Sequence, residues 1–255
     1  MQDAVIVATA RSPIGRANKG SLKDMRPEDL GTQVIEALLQ KVPEVRPELV
    51  QDLILGCANP QGEQGRNLGR LLAVAMGHDS MPGTTVTRAC ASSLQSTRMA
   101  FHAIRAGEGD LFISAGLEMV SALNRHGGPA SNADTEHPTL FAQAQERSAE
   151  RAAGLIEGWH DPRDDSLVPD GYIAMGQTAE NVASLCGISR EDQDEFGVRS
   201  QNLAEKAIAD GFFEREITPV TLPDGTVVST DDGPRAGTTY EALATLKPRS
   251  VSTGR

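Results

Sequence analysis

Along the chain, compact blocks of consecutive apolar residues alternate with longer stretches whose apolar positions recur every three or four residues. A short continuous block reads as a buried strand, and the three-to-four spacing as an amphipathic helix. Residues 4–10, rich in Val, Ile and Thr, form the first block and predict a buried strand. Pro27-Glu28-Asp29-Leu30 then opens a helix, with proline suited to the first helical position and two acids where the helix dipole favours negative charge. Leu30, Val34, Ala37 and Leu38 supply its apolar stripe. Leu53-Ile54-Leu55-Gly56-Cys57 predicts a second strand, followed by a Gly/Gln-rich loop over 59–66 and a helix from Asn67 to Gly77. Residues 84–87 predict a third strand that runs into Cys90 and a long helix ending at Ala106-Gly107. Residues 111–115 predict the fourth. Such alternation implies parallel strands joined by crossover helices.

Beyond Ser121 the texture changes. Residues 121–170 are irregular, with Gly127-Gly128-Pro129, His137-Pro138 and Asp161-Pro162 interrupted by one Ala/Glu-rich helical patch over 141–153. A helix over 178–186 is stopped by Gly187, a residue suited to a left-handed C-cap. Another starts at Ser189, with acids in its first turns, and carries on through Leu203 and Ile208. Residues 216–229 predict a hairpin built on Pro223-Asp224-Gly225. The expected division is an α/β domain over 1–120, a second subdomain over 121–248 and a short tail over 249–255.

Composition narrows the function classes. Apolar residues make up 39% and charged residues 23%, the balance of an ordinary globular chain. The formal net charge of −11 argues against a nucleic-acid or anionic-membrane surface, because phosphates would be repelled. No run reaches the ~18 apolar residues of a membrane span, and residues 1–3 lead straight into the first block without a basic leader, so a cytoplasmic location is expected. Cys57, Cys90 and Cys186 are too widely spaced for a disulfide framework or a metal site. Asp231-Asp232-Gly233 reads as a turn rather than a calcium loop, since further ligands at loop spacing are missing.

Residues 84–96 carry the candidate chemistry. A strand delivers Cys90 to the start of a helix, where backbone N–H groups and the positive dipole end favour the thiolate. Ala91, Ser92 and Ser93 are small enough to let a carbonyl approach the sulfur, and amides there can stabilise an oxyanion. This is the chemistry of an acyl-enzyme site. The residues alone favour the plainer reading, in which Cys90 is a small buried hydrophobe at a crowded helix start.

Val86-Thr87-Arg88-Ala89-Cys90-Ala91-Ser92-Ser93-Leu94-Gln95 resembles the thiolase nucleophile motif V-N-R-x-C-x-S-G-L-Q, with Thr87 in place of Asn and Ser93 in place of Gly. Arg11-Ser12-Pro13-Ile14-Gly15 with Gly20-Ser21-Leu22 resembles the thiolase opening R-T-P-I-G…G-S-L. Gly62-Glu63-Gln64-Gly65, Ala115-Gly116-Leu117-Glu118-Met119 and Met175-Gly176-Gln177-Thr178-Ala179-Glu180-Asn181 are similar to later family segments in the same order. So are the region around Gln193-Asp194 and the stretch from Pro234-Arg235 to Lys247-Pro248.

The resemblance implies a thiolase-like layered α/β/α sandwich half with an inserted, mostly helical loop subdomain. It implies an acyltransferase of fatty-acid or lipid degradation, with Cys90 taking an acyl group from a 3-ketoacyl-CoA and passing it to CoA, or running the reverse Claisen condensation. Met175 falls where the family places a methionine near the acyl and pantetheine channel, preceded here by Ala174 rather than the histidine of the biosynthetic branch. Arg235 matches an arginine near the CoA nucleotide. Coenzyme A enters as substrate, with no bound cofactor or metal and with a homo-oligomer, dimer or tetramer, as the usual assembly.

The family's G-H-P histidine, its C-x-G-G-G cysteine and its N-E-A-F segment do not occur in these 255 residues. The active site is therefore expected to be incomplete and activity low, unless another chain supplies the missing half. His78 and His102 read as structural, His126, His137 and His160 as solvated, and Cys57 and Cys186 as core fillers. A ketosynthase-like condensing enzyme and a non-catalytic CoA-binding subunit remain as alternatives. A dinucleotide-binding oxidoreductase is remote, since Arg11-Ser12-Pro13 stands where a G-x-G-x-x-G would follow the first block.

Overall fold

The computed structural model describes residues 3–125 and 136–247. The expected loop at Gly127-Gly128-Pro129, His126 and the 249–255 tail lie outside the described residues. The chain forms two compact units. One holds residues 1–130 and 211–233, and the other holds 131–210 and 234–255. The segment 211–233 thus clusters with the first unit rather than with the residues that precede it.

The first unit is built on three parallel strands, β1 (Asp52–Gly56), β2 (Gly83–Val86) and β3 (Phe112–Gly116), in the order β2-β1-β3. Ile54 of β1 sits opposite Thr84 on one side and Ser114 on the other, which fixes the register of both ladders. Because β1 is central, Leu53, Ile54 and Leu55 are all buried, as a continuous apolar run requires. Helices α1 (Pro27–Gln40), α2 (Leu68–Ala75), α3 (Ser92–Ala106) and α4 (Val120–Arg125) connect and flank the strands. Proline opens α1 with Glu28 and Asp29 in its first turn, and its Leu30 and Ile35 face Leu72 of α2 and Leu53 in one core. Burying each such side chain contributes about 1.5–3 kcal/mol. Asn67 caps α2 by accepting from the Arg70 amide at 3.3 Å.

Residues 4–10 are a correction. They form no strand, and Val5, Ile6 and Val7 are 74%, 79% and 68% exposed. A strand exists only through a partner, and the run pairs neither with β1, flanked by β2 and β3, nor with the outer edges of β2 and β3. The run keeps its β-forming composition without a ladder to join. Contacts resume at its end, where the Lys41 ammonium donates to the Thr9 carbonyl and Arg11 bridges to Ile217.

The returning segment carries the expected hairpin, β4 (Val220–Thr221) paired antiparallel with β5 (Val227–Val228). Asp231 and Asp232 then pin the loop over 11–21. Arg11 forks onto both oxygens of Asp231 at 2.8 and 3.0 Å, and the Ile14 amide donates to Asp231 at 2.8 Å. Asp232 accepts from the Arg16 and Ser21 amides and the Ser21 hydroxyl. Both carboxylates are committed to structure, in keeping with a turn.

The second unit consists of α5 (Ala142–Ala152), α6 (Met175–Cys186), α7 (Arg190–Ala209) and α8 (Tyr240–Ala244), with a long loop between α5 and α6. Gly187 ends α6 in the left-handed conformation. Ser189 and Asp192 form a reciprocal capping box at the start of α7. Arg190 ties α7 to α8 by donating to the Leu243 and Leu246 carbonyls while pairing with Asp194 at 2.8 Å.

Candidate active site

Cys90 is exposed and stands between β2 and α3. Four residues make the turn. Ala89 has φ +44°, a left-handed conformation in which a Cβ is disfavoured. Arg88 and Cys90 pair across it as an isolated bridge. Ser92 closes the turn from inside the helix, its hydroxyl accepting from the Arg88 amide at 2.8 Å and donating to the Ala89 carbonyl at 2.6 Å. The nucleophile candidate thus sits on a strained, hydrogen-bonded elbow, a state that persists only when its surroundings over-determine it.

Those surroundings are the C-terminal ends of β1 and β3. A Cβ built on Gly56 would lie 2.4 Å from the Ser92 carbonyl carbon and 2.5 Å from the Ser93 nitrogen. One on Gly116 would lie 2.6 Å from the Ser93 Cβ. Backbone therefore packs on backbone at the first turn of α3, and glycine is the residue that allows it. No side chain caps that turn. The Ala91 and Ser92 amides donate to the Arg88 and Ala89 carbonyls at 3.0 and 3.1 Å. The amides of the next residues, Ser93 and Leu94, point with the positive dipole end and can stabilise negative charge.

Glu118 organises the neighbouring loop. Its carboxylate accepts from the Ala58 amide at 2.6 Å, the Gln64 side chain at 2.7 Å and the Asn59 side chain at 3.2 Å. Gln64, fully buried, in turn accepts from the Met119 amide at 2.8 Å. The Cys57 thiol lies 3.6 Å from Glu118 and is pushed up to about 12, first by burial and then by that negative charge. Cys57 is therefore an inert buried thiol, as its place at the end of a strand suggested. Cys186, in contrast, is exposed rather than packed in a core: it is the last residue of α6, whose buried residue is Ala183.

The other two candidates fall in the second unit. Met175 opens α6 with 72% of its surface exposed. Arg235 has an exposed side chain on a backbone fixed to α7, its amide donating to Gln201 at 2.8 Å and that of Gly237 to Glu205 at 3.1 Å. Among the described residues no histidine is hydrogen-bonded to Cys90; His137 accepts from the Thr139 and Leu140 amides, and His160 pairs with Asp165 at 3.3 Å. No cluster of metal-ligating side chains occurs among the described residues either.

The family model for the thiolase N-terminal domain matches residues 4–255. The chain belongs to the thiolase family. A beta-ketoadipyl-CoA thiolase of Acinetobacter baylyi is 41% identical over 252 residues, covering 97% of this chain and 60% of the relative. A 3-ketoacyl-CoA thiolase of Bacillus subtilis is 37% identical over 261 residues, with 97% and 59% covered. The crystal structure of a Bacillus anthracis acetyl-CoA acetyltransferase superposes with a TM-score of 0.76 at 33% identity, covering 98% of this chain and 59% of that one. The chain therefore spans about 60% of the length of the thiolases it matches, and the α/β fold with its parallel sheet is that of the family. No helix among the described residues is long and apolar enough to cross a membrane.

Sequence reasoning located Cys90 but missed the residues that hold it. Gly56 had a signal, a glycine closing an apolar strand. Glu118 had a weaker one, a carboxylate two residues past the end of another strand. The left-handed Ala89 had none.

Proposed function

We propose that this chain supplies the nucleophile of a thiolase-type acyl transfer between 3-oxoacyl-CoA and CoA. The Cys90 thiolate adds to the C3 carbonyl of the 3-oxoacyl thioester. The C2–C3 bond breaks, its electron pair leaves with C2 of acetyl-CoA, and that carbon takes up a proton. The acyl group remains as a thioester on Cys90 until the sulfur of a second CoA displaces it. The reading is carried by the exposed Cys90 on its Ala89 elbow at a helix start that no side chain caps. Relatives named for 3-ketoacyl-CoA and beta-ketoadipyl-CoA support the thioester class. Met175 and Arg235, both exposed, are proposed contacts for the pantetheine and nucleotide parts of CoA, in an assembly of identical chains.

The acid–base groups named for the family do not occur in this sequence. Since such a group contributes about 10²–10⁴-fold, acylation of Cys90 is expected to outrun complete turnover. Incubation with a 3-oxoacyl-CoA followed by peptide mass spectrometry tests the reading. An acyl adduct on Cys90, absent in Cys90→Ser, is expected. An adduct confined to Cys186, or none at all, would sink it.

A further inference from the structure

One side chain ties the entrance of the Cys90 elbow to a neighbouring loop. Thr87 stands between Val86, the last residue of β2, and Arg88, which pairs across the elbow with Cys90. Its hydroxyl donates to the Ala58 carbonyl at 3.2 Å. One residue earlier, the Val86 carbonyl accepts from the Cys57 amide at 3.0 Å. The chain leaving β2 is thus fastened to the chain leaving β1 at two successive positions. Past Thr87 the bonds of the elbow are internal, with Arg88, Ala89, Ala91 and Ser92 bonded to one another. An internally bonded turn is aimed through its ends, and Thr87 is the tie at its strand end.

Glu118 fixes the other side of the same loop. One oxygen of its carboxylate accepts from the Ala58 amide at 2.6 Å and the Asn59 amide at 3.4 Å. The other accepts from the Gln64 side chain at 2.7 Å and the Asn59 side chain at 3.2 Å. These nitrogens are all donors, and an ionised carboxylate is a group that only accepts. A glutamine of the same shape would turn its NH₂ toward one pair of them. Ala58 is therefore gripped at both ends, its amide by Glu118 and its carbonyl by Thr87.

We propose that Thr87 and Glu118 are positioning residues for Cys90, the two ends of one brace that runs through Ala58. The brace carries the end of β3 across the exit of β1 to the entrance of the elbow. Thr87 stands where the thiolase nucleophile motif has Asn, so in this chain a hydroxyl makes the tie. Its bearing on acyl transfer rests on the reading proposed above; the holding of the elbow does not.

Three variants test the brace. Thr87→Val keeps the branched shape without the donor, Thr87→Ser keeps the donor, and Glu118→Gln keeps the shape without the charge. Amide hydrogen exchange over residues 88–92 of the full chain, read by mass spectrometry, reports how often the elbow opens. Loss of one hydrogen bond in Thr87→Val should speed exchange about fivefold, with the native rate restored in Thr87→Ser and a larger increase in Glu118→Gln. The double variant should match Glu118→Gln alone, because both changes cut one brace, whereas independent sites would multiply. Far-UV circular dichroism checks that each variant is folded. Unchanged exchange in Thr87→Val, or multiplied effects in the double variant, would overturn the inference.

Single-turnover acylation of Cys90 by a 3-oxoacyl-CoA adds a second readout. Misplacement of the sulfur should lower the maximal rate in Thr87→Val by about tenfold, with the half-saturating concentration unmoved. Iodoacetamide, which needs no fixed approach, should still alkylate Cys90 at close to the native rate. A raised half-saturating concentration with an unchanged maximal rate would assign Thr87 to binding and sink the positioning role. If the native chain is not acylated at all, the acyl-transfer reading fails, and the exchange rates still decide whether the brace holds the elbow.

Discussion

The two units are held together by different means. In the first, Leu53, Leu55, Leu68, Leu72 and Met81 are sealed from solvent around a parallel sheet. In the second, the buried residues among those described are Ala144, Ala183 and Asp194, while Leu185, Phe196 and Leu203 are 66%, 67% and 54% exposed. Its helices are specified by ends and pins instead: a capping box at Ser189, the left-handed Gly187, and Arg190 tied to Asp194 and to two carbonyls near α8. Burial scales with the area removed from water, whereas a cap contributes about 1 kcal/mol. The first unit therefore has a packed sheet behind the strained elbow at Cys90, and the second depends on its caps and pins.

The sharpest way to break this contrast is the same truncation in each unit. Leu53→Ala removes a fully buried side chain from the central strand and should destabilise the first unit by about 2–5 kcal/mol. Leu203→Ala removes a half-exposed one from α7 and should shift stability by no more than about 0.5 kcal/mol. Urea unfolding, followed by circular dichroism for the whole chain and by Trp159 emission for the second unit, measures both. Similar losses in the two variants would mean that α7 packs far more tightly than its exposure indicates.

A smaller but more local effect is expected at the elbow. Gly56→Ala places a methyl against the Ser92–Ser93 backbone at 2.4–2.5 Å, and neither side can yield as a flexible side chain would. Overpacking of this kind costs about 1–3 kcal/mol. Moving the start of α3 by even an ångström should slow acylation of Cys90 by about 100-fold, while alkylation of exposed Cys186 by iodoacetamide keeps its wild-type rate. If Cys90 acylates normally in a folded Gly56→Ala chain, the strand ends do not position the nucleophile.

What could be read from the sequence follows the range of the forces involved. The start of α1 at Pro27, the cap of α7 at Ser189 and the stop at Gly187 are written within a few residues, and the structure has each of them. The burial of β1 was legible because an unbroken apolar run can be satisfied only inside a sheet. Residues 4–10 carried the same signal and misled, since composition states a capacity for pairing and says nothing about whether a partner strand takes it up. The Glu118 clamp spans 54–61 residues of sequence and the Asp231 clamp 217–220. Polar contacts at such separations leave no periodicity behind, so these clamps stayed hidden while the nucleophile itself was in view.

The smallest expected effect compares a long-range clamp with a local cap. Burial tends to raise the Asp231 carboxyl, but the hydrogen bond from Arg11 and the Ile14 amide outweigh it, and the group lies below its ordinary value. At Asp232 the Ser21 and Arg16 amides likewise outweigh burial. In the second unit Asp192 is lowered by the Ser189 amide and then by its hydroxyl. A carboxyl whose folded pKa is depressed binds its proton first in the unfolded chain. Its contribution is fully present above the unfolded value of ~3.9 and disappears as pH falls toward the folded one. Melting temperatures taken from pH 6 down to pH 3 should therefore decline on the acid side for the native chain. Asp232→Asn, which takes the charge off the acceptor that closes the loop over 11–21, should lower the plateau and flatten that decline. Asp192→Asn should do so only slightly, because a solvent-exposed cap holds a single turn rather than two distant segments. Equal flattening by the two variants would show that the returning segment stabilises the first unit no more than one helix end stabilises the second.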